Sequence, residues 1–271
     1  MTFPVFLHIG PVEIHPHLLF EVLAYTVAFR IYLELRRRSG DHLQDQDRWW
    51  VIAAAATGAL LGSKLLFLLE DPHERLRNIS NPLLLPFGKT IVGALIGGLF
   101  CVEFSKRLLG ITLRTGDLFA LPLCVGIAVG RIGCFLTGLS DQTYGVATSL
   151  PWGINLGDGV RRHPTQLYEI VFLLALTALL VLVRRRPRVE GDLFKIFMVG
   201  YLAFRLCCDF LKPEVHVFVG LSSIQYACVL MLLYYSQDIV RWIRRRKFDG
   251  KPVATGLQVC RAGTSAEPIA R

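Results

Sequence analysis

The run Leu118–Leu136, LFALPLCVGIAVGRIGCFL, limits the possible fold more than any other part of the chain. It is long enough to cross the hydrocarbon core of a bilayer, which takes roughly 20 apolar residues. A segment in that medium must satisfy its own backbone hydrogen bonds, so it is predicted to be helical. Arg131 lies inside it. A guanidinium at that depth costs at least about 2.5–3.5 kcal/mol on insertion scales, so the residue calls for a partner or a function.

Comparable apolar segments lie at about 18–35, 49–69, 90–104, 117–136, 167–183, 194–211 and 222–240. The expected fold is an all-α integral membrane protein with seven transmembrane helices. The composition agrees: 53% of residues are hydrophobic and 19% charged, whereas a soluble domain carries about 25% charged residues. The net charge of +9 sits mostly in short runs beside apolar segments. Such runs fix orientation and meet anionic head groups. No nucleic-acid-binding pattern is present, so nucleic acid is not an expected partner.

Basic residues also set the topology. Arg36, Arg37, Arg38 and Arg48 fill the first loop; Lys106, Arg107 and Arg114 the third; Arg184, Arg185, Arg186 and Arg188 the fifth. Arg241, Arg244, Arg245, Arg246 and Lys247 open the tail. The loops between these are poorer in basic residues. The positive-inside rule then predicts an outside N-terminus and a cytoplasmic C-terminus. The N-terminus has no basic region running straight into an apolar core, so the first segment is expected to stay as an anchor. Residues 1–247 are expected to form one membrane domain, with a polar, disordered cytoplasmic tail at 248–271.

At about 1.5 Å of rise per residue, this orientation puts the unusual polar residues at one depth. His17, Glu21, Lys64, Lys89, Arg131, His163, Tyr168, Glu169, Arg205 and Asp209 all fall near the outer interface. The pairs Gly58/Gly62, Gly93/Gly97 and Gly126/Gly130 are spaced to let helix backbones approach closely. A small-solute transporter would instead want polar groups near the midplane and a structural repeat, and neither is visible.

Three stretches carry candidate chemistry. In GRIGCFLTGLSDQTYG, Gly130 and Gly133 flank Arg131 and leave room for a ligand or another backbone. The five donors of Arg131 suit a phosphate; a salt bridge to Glu21, Asp209 or Glu169 is the structural alternative. Cys134, one turn on, reads as an inert buried thiol. In RRHPTQLYE, Pro164 fits the first position of a helix, and His163, Gln166 and Tyr168 gather where a helix N-terminus favours anions. Thr165, Tyr168 and Glu169 share a face by spacing. In GYLAFRLCCD, Arg205 and Asp209 are four apart; either they pair with each other or Asp209 positions Arg205 for a ligand. Lys89 reads as an interfacial cation, snorkelling or facing the site. Gly88-Lys89-Thr90 is no phosphate loop, because Leu83 takes the place of its first glycine. The seven cysteines show no CxxC or Cys/His ligand spacing, so neither disulfides, metal nor other cofactor are expected.

At GRIG–F, HPTQLYE and GYLAFR, and in the opening GPVEIHPH, the chain resembles the prolipoprotein diacylglyceryl transferase family, over about residues 10–240. The resemblance implies transfer of an sn-1,2-diacylglyceryl group from phosphatidylglycerol to the cysteine thiol of a prolipoprotein lipobox peptide. Glycerol phosphate leaves, at the outer leaflet of a bacterial inner membrane. It implies that Arg131 and Arg205 serve the phosphate, that His163 or Glu169 assists proton transfer, and that Tyr168 orients the lipid. His17, Glu21, Lys89, Gly93, Gly130, Gly133, Asp141, Gln166 and Asp209 are then the expected substrate-binding residues. The chain departs from the family pattern in helix 3, where Val92-Gly93-Ala94 stands for a histidine and two glycines. Cys134 replaces an asparagine, His17 replaces a tyrosine, and Asp141 is the carboxylate available for a missing glutamate. Imidazole would then come from His17 or His163. A glycerolipid transferase with another acceptor, or a non-catalytic lipid- or lipoprotein-binding membrane protein, are the competing functions.

Overall fold

The computed structural model describes residues 3–9, 12–39, 43–72, 88–185, 189–213 and 220–249. Arg186, Arg188, Cys260 and all of the expected tail beyond Asp249 lie outside them. The chain is helical, with two short hairpins. Strands β1 (Leu7–Ile9) and β2 (Val12–Ile14) pair antiparallel ahead of helix α1 (Pro16–Ser39). Then come α2 (Asp45–Glu70), α3 (Ile91–Leu109) and α4 (Asp117–Thr137), which runs into a 3-10 turn at Gly138–Asp141. Strands β3 (Ile154–Asn155) and β4 (Arg161–Arg162) precede α5 (Thr165–Arg184), α6 (Asp192–Asp209) and α7 (Ser223–Tyr234). A second compact unit begins at Tyr235. Its described part is α8 (Ser236–Asp249), in which Arg241 donates to Asp238.

Among the described residues, three helices are long and apolar enough to cross a membrane: α2, α4 with its 3-10 extension, and α5. The predicted segment 222–240 is broken near Tyr235 into α7 and α8. The other predicted segments match helices to within a few residues at each end, as helix limits usually do.

The helices pack as antiparallel pairs, and glycines decide how closely. A Cβ on Gly97 would collide with the carbonyl oxygen of Gly58, and one on Gly62 with that of Gly93. Helices α2 and α3 therefore touch backbone to backbone, and Thr90 N donates to Ser63 Oγ at 2.9 Å where they meet. Gly133 does the same for α1 and α4. A Cβ there would lie 2.7 Å from Phe20 Cβ and 3.3 Å from His17 Cα. At the far end of this pair Tyr32 stacks on Phe119 with ring centroids 4.9 Å apart. Phe172 and Phe204 stack at 4.3 Å between α5 and α6.

The two ends of the bundle differ. One collects the chain's basic loops: Arg184 Nη2 donates to Ser39 Oγ at 2.8 Å, and Arg114 Nη1 to the Glu190 carbonyl at 3.0 Å. Asp117 caps α6 from outside, accepting from Gly191 N at 3.0 Å and Phe194 N at 3.1 Å. This satisfies orphan donors at the helix start. The opposite end receives the first turn of α1, the last turns of α4 and α6 and the starts of α3, α5 and α7. Every predicted site residue lies at that end.

Candidate functional site

At its centre is a carboxylate between two guanidinium groups. Glu169, in the second turn of α5, places Oε2 2.9 Å from Arg131 Nε on α4 and 3.7 Å from Arg205 Nη1 on α6. Its other oxygen accepts from Tyr201 Oη at 2.7 Å. Arg205 Nη2 in turn reaches Asp209 Oδ1 at 3.2 Å, and Ser222 Oγ donates to Asp209 Oδ2. Tyr201, Arg205 and Asp209 follow one another at four-residue spacing, so one face of α6 supplies all three. Glu169 and Asp209 are 2% and 1% exposed, Arg131 and Arg205 7% and 3%. Buried this deeply, each charge needs an opposite one, and these four balance.

The charges balance, but the hydrogen bonds do not. Arg131 Nε has Glu169 Oε2 as its nearest carboxylate oxygen, at 2.9 Å. Arg131 Nε, Arg205 Nε and Arg205 Nη1 are all buried with no hydrogen-bond acceptor among the described residues. Buried donors left this way are rare and need an explanation.

A second group lies beside the first, nearer the helix ends. His17 Nδ1 is 2.9 Å from Asp141 Oδ1 and 4.0 Å from Cys134 Sγ. Arg131 Nη1 is 3.8 Å from the same sulfur, joining the two groups. Thr143 Oγ1 donates to Asp141 Oδ2 at 2.6 Å and accepts from Gln166 Nε2 at 3.1 Å. The other ring nitrogen of His17 faces Glu21 at 3.9 Å, and Glu21 also accepts from Lys89 Nζ at 2.9 Å. His17 lies just before the apolar span of α1. Its hydrogen bond to Asp141, then that to Cys134, raises its pKa from 6.5 to about 10. The hydrogen bond to Glu21 likewise raises Lys89.

The third group is His163, Tyr168 and Trp152. Tyr168 Oη is 3.1 Å from His163 Nδ1 and accepts from Trp152 Nε1 at 2.8 Å. Pro164 is the N-cap of α5 and not its first residue, so the helix starts at Thr165. Tyr168 turns away from the buried pair Thr165 and Glu169 toward the loop, so the three do not share an environment as their spacing suggested. Thr165 Oγ1 donates to the Thr143 carbonyl at 2.6 Å, tying this loop to the His17 group.

The structure thus brings together Arg131, Glu169, Arg205 and Asp209, with Gln166, Asp141, His17, Glu21 and Lys89 around them. Arg131 pairs with Glu169 and Arg205 with Asp209, so the salt-bridge alternatives left open by the sequence are present. Gly93 is packed against Leu66 and Gly62 of α2, and Gly133 against α1; both act through helix packing. Gly130 has only Ala24 near it, at 3.9 Å.

A family model described as prolipoprotein diacylglyceryl transferase matches residues 4–239. The chain belongs to that family. The phosphatidylglycerol–prolipoprotein diacylglyceryl transferase of Bordetella avium is 32% identical over 230 residues, covering 81% of this chain and 85% of its own length. The protein of the same name from Geobacter sulfurreducens is 32% identical over 220 residues, with 77% and 82% covered. That of Cupriavidus pinatubonensis is 30% identical over 269 residues, with 92% and 94% covered.

Val92, in the first turn of α3, is 1% exposed. Tyr201, Thr143, Ser222 and Trp152 were not among the expected site residues. Tyr201 could have been found from its spacing to Arg205 and Asp209. The others come from loops or helix starts, where no periodicity marks them.

Proposed function

We propose that this protein transfers a diacylglyceryl group from phosphatidylglycerol to the lipobox cysteine thiol of a prolipoprotein. Family membership supports the reaction. The observation that carries the site assignment is the pair of buried arginines with unmatched donors. Their charges are held by Glu169 and Asp209, and two guanidinium groups, which carry more donors than these carboxylates take up, suit the oxygens of a lipid phosphate. Glu169 acts as the counter-ion that aligns the two arginines, since a carboxylate between two guanidinium groups and a tyrosine hydroxyl is a poor proton acceptor.

In the reaction the sulfur attacks the glyceryl carbon that bears the phosphate ester. A carbon–sulfur bond forms, the carbon–oxygen bond breaks, and the electron pair leaves with glycerol phosphate. Fixed cations facing the departing oxygens lower the barrier because their orientation is set before the charge develops. A thiol of ordinary pKa about 8.5 also needs a proton acceptor. His163, held by Tyr168, serves as that acceptor in this scheme, and Trp152 completes the support of Tyr168.

The chain is read as a multi-pass protein of the bacterial plasma membrane. Seven helices span it, with the N-terminus outside, the C-terminus cytoplasmic, and the polar end of the bundle at the outer leaflet. Residues 1–247 act as the membrane domain and 248–271 as a cytoplasmic tail. The antiparallel packing and the gathering of basic loops at one end support this orientation.

The test is direct. Purified protein in phosphatidylglycerol vesicles is given a lipobox peptide, and the products are weighed by mass spectrometry. The expected products are a thioether-linked diacylglyceryl peptide and one glycerol phosphate per peptide, both abolished by His163→Ala. Turnover retained in H163A would rule that residue out as the base. Lipid and peptide binding without glycerol phosphate would leave a binding protein in place of a transferase.

A further inference from the structure

We propose that His17, Cys134 and Asp141 form a binding site for a zinc-like divalent cation. His17 Nδ1, Cys134 Sγ and a carboxylate oxygen of Asp141 lie within 4.8 Å of one another. They come from three separate places: the first turn of α1, the last turn of α4 and the 3-10 turn after it. The sequence showed no ligand spacing because the ligands are not neighbours in the chain. They meet because Gly133, with no side chain, lets α1 lie against α4 one residue before Cys134.

The ligand set points to the metal. Thiolate, imidazole and carboxylate together suit zinc or a similar borderline cation, whereas magnesium and calcium prefer oxygen alone. Zinc bonds of about 2.3 Å to sulfur and 2.0–2.2 Å to nitrogen and oxygen set ligand separations of roughly 3.4–3.6 Å in a tetrahedron. The observed 2.9 Å and 4.0 Å lie on either side of that range. Each needs to change by only about half an ångström.

The surroundings fit as well. A metal-bound histidine usually gives its other ring N–H to a carboxylate. Here Nε2 lies 3.9 Å from Glu21 Oε2, a carboxylate that Lys89 holds and that needs a shift of under an ångström to accept that N–H. Asp141 is oriented through its second oxygen by Thr143. Three protein ligands leave a fourth tetrahedral position, and the His17 side chain is 40% exposed, so that position opens outward to water or an incoming thiolate. In the metal-free form the His17–Asp141 contact keeps two of the ligands together.

A cysteine–histidine–aspartate nucleophile fits less well. In a triad the two ring nitrogens divide the work, one facing the nucleophile and the other the carboxylate. In this protein Nδ1 faces both the sulfur and Asp141, so all three atoms converge on one point.

The site is read without lipid or peptide, so its test does not depend on the transferase assignment. Full-length protein in detergent is stripped with a chelator and titrated with Zn2+ and, separately, with Co2+. One equivalent of Zn2+ is expected, with a thiolate-to-cobalt absorption band for Co2+. Cys134→Ser and Asp141→Asn should weaken binding at least about tenfold. Cys101→Ser and Cys207→Ser, elsewhere on α3 and α6, should leave it unchanged. In the wild-type protein, Zn2+ but not Mg2+ should also protect Cys134 from maleimide labelling, which keeps the test informative if C134S does not fold. Binding that is equal in wild type and C134S, a cobalt spectrum with no thiolate band, or no protection of Cys134 would each overturn the proposal.

Discussion

Replacing Glu169 by glutamine tests the core of the site with almost no change in shape. The amide oxygen can still accept from Tyr201, so that hydrogen bond is not what is lost. The charge is lost. Arg131, Arg205, Glu169 and Asp209 go from balanced to one positive charge in excess, in a group where none is more than 7% exposed. Breaking a buried pair by removing one partner costs about 3–5 kcal/mol. At about 2–4 °C per kcal/mol the unfolding midpoint should fall on the order of 10 °C. Cys124 and Cys228 are fully buried, so reaction of a thiol-reactive dye during a thermal ramp reports the transition. The double variant Arg131→Met/Glu169→Leu removes both members of one pair and leaves Arg205 with Asp209. It should recover most of the loss, because a buried pair can often be replaced by apolar residues at little cost. If E169Q unfolded with the wild type while losing transfer, Glu169 would be a proton carrier and not a counter-ion. If the double variant were no more stable than E169Q, the charge argument would fail.

Further expectations concern packing, capping and orientation. Gly97→Val should destabilise by about 1–3 kcal/mol or more, because the added methyl groups meet the α2 backbone; an unchanged thermal midpoint would mean α2 and α3 are not in that contact. Asp117→Ala should cost about 0.5–2 kcal/mol through the lost cap on α6, measured in the same ramp. Tyr168→Phe removes the partner of His163 and Trp152 and should slow transfer less than His163→Ala, by vesicle assay; equal losses would give Tyr168 a direct chemical part. For the proposed orientation, cysteines placed at Trp152 and Arg37 should label with an impermeant reagent from opposite sides of sealed cells.

Much of this could be read from the chain alone, for identifiable reasons. A medium that forbids unpaired backbone makes apolar runs helical, so the main helices followed from hydropathy. Arg131, Glu169, Arg205 and Asp209 stood out because charge among apolar residues is costly. Which charges would pair was not legible, since Glu21, Glu169 and Asp209 were all possible partners at the depth of Arg131. Tertiary packing chose Glu169, on the neighbouring helix α5. The break near Tyr235 was missed because the expected segment was carried on to residue 240 across Ser236, Gln237 and Asp238, a polar run that marks it. Cys134 was read as an inert thiol because nothing local marks it. Its neighbours His17 and Asp141 arrive from elsewhere, brought in by Gly133, whose place beside Arg131 had suggested room for a ligand or another backbone.

The central claim is that Arg131 and Arg205 together grip the lipid phosphate. The measurement that tests it most directly is the rate of glycerol phosphate release by Arg131→Gln and Arg205→Gln in vesicles of increasing phosphatidylglycerol content. Each variant is expected to lose about 10²–10³-fold in turnover, the usual effect of removing one donor that faces developing charge, and saturating lipid should not restore it. Release at the wild-type rate by either variant, folded by its thermal transition, would contradict the account.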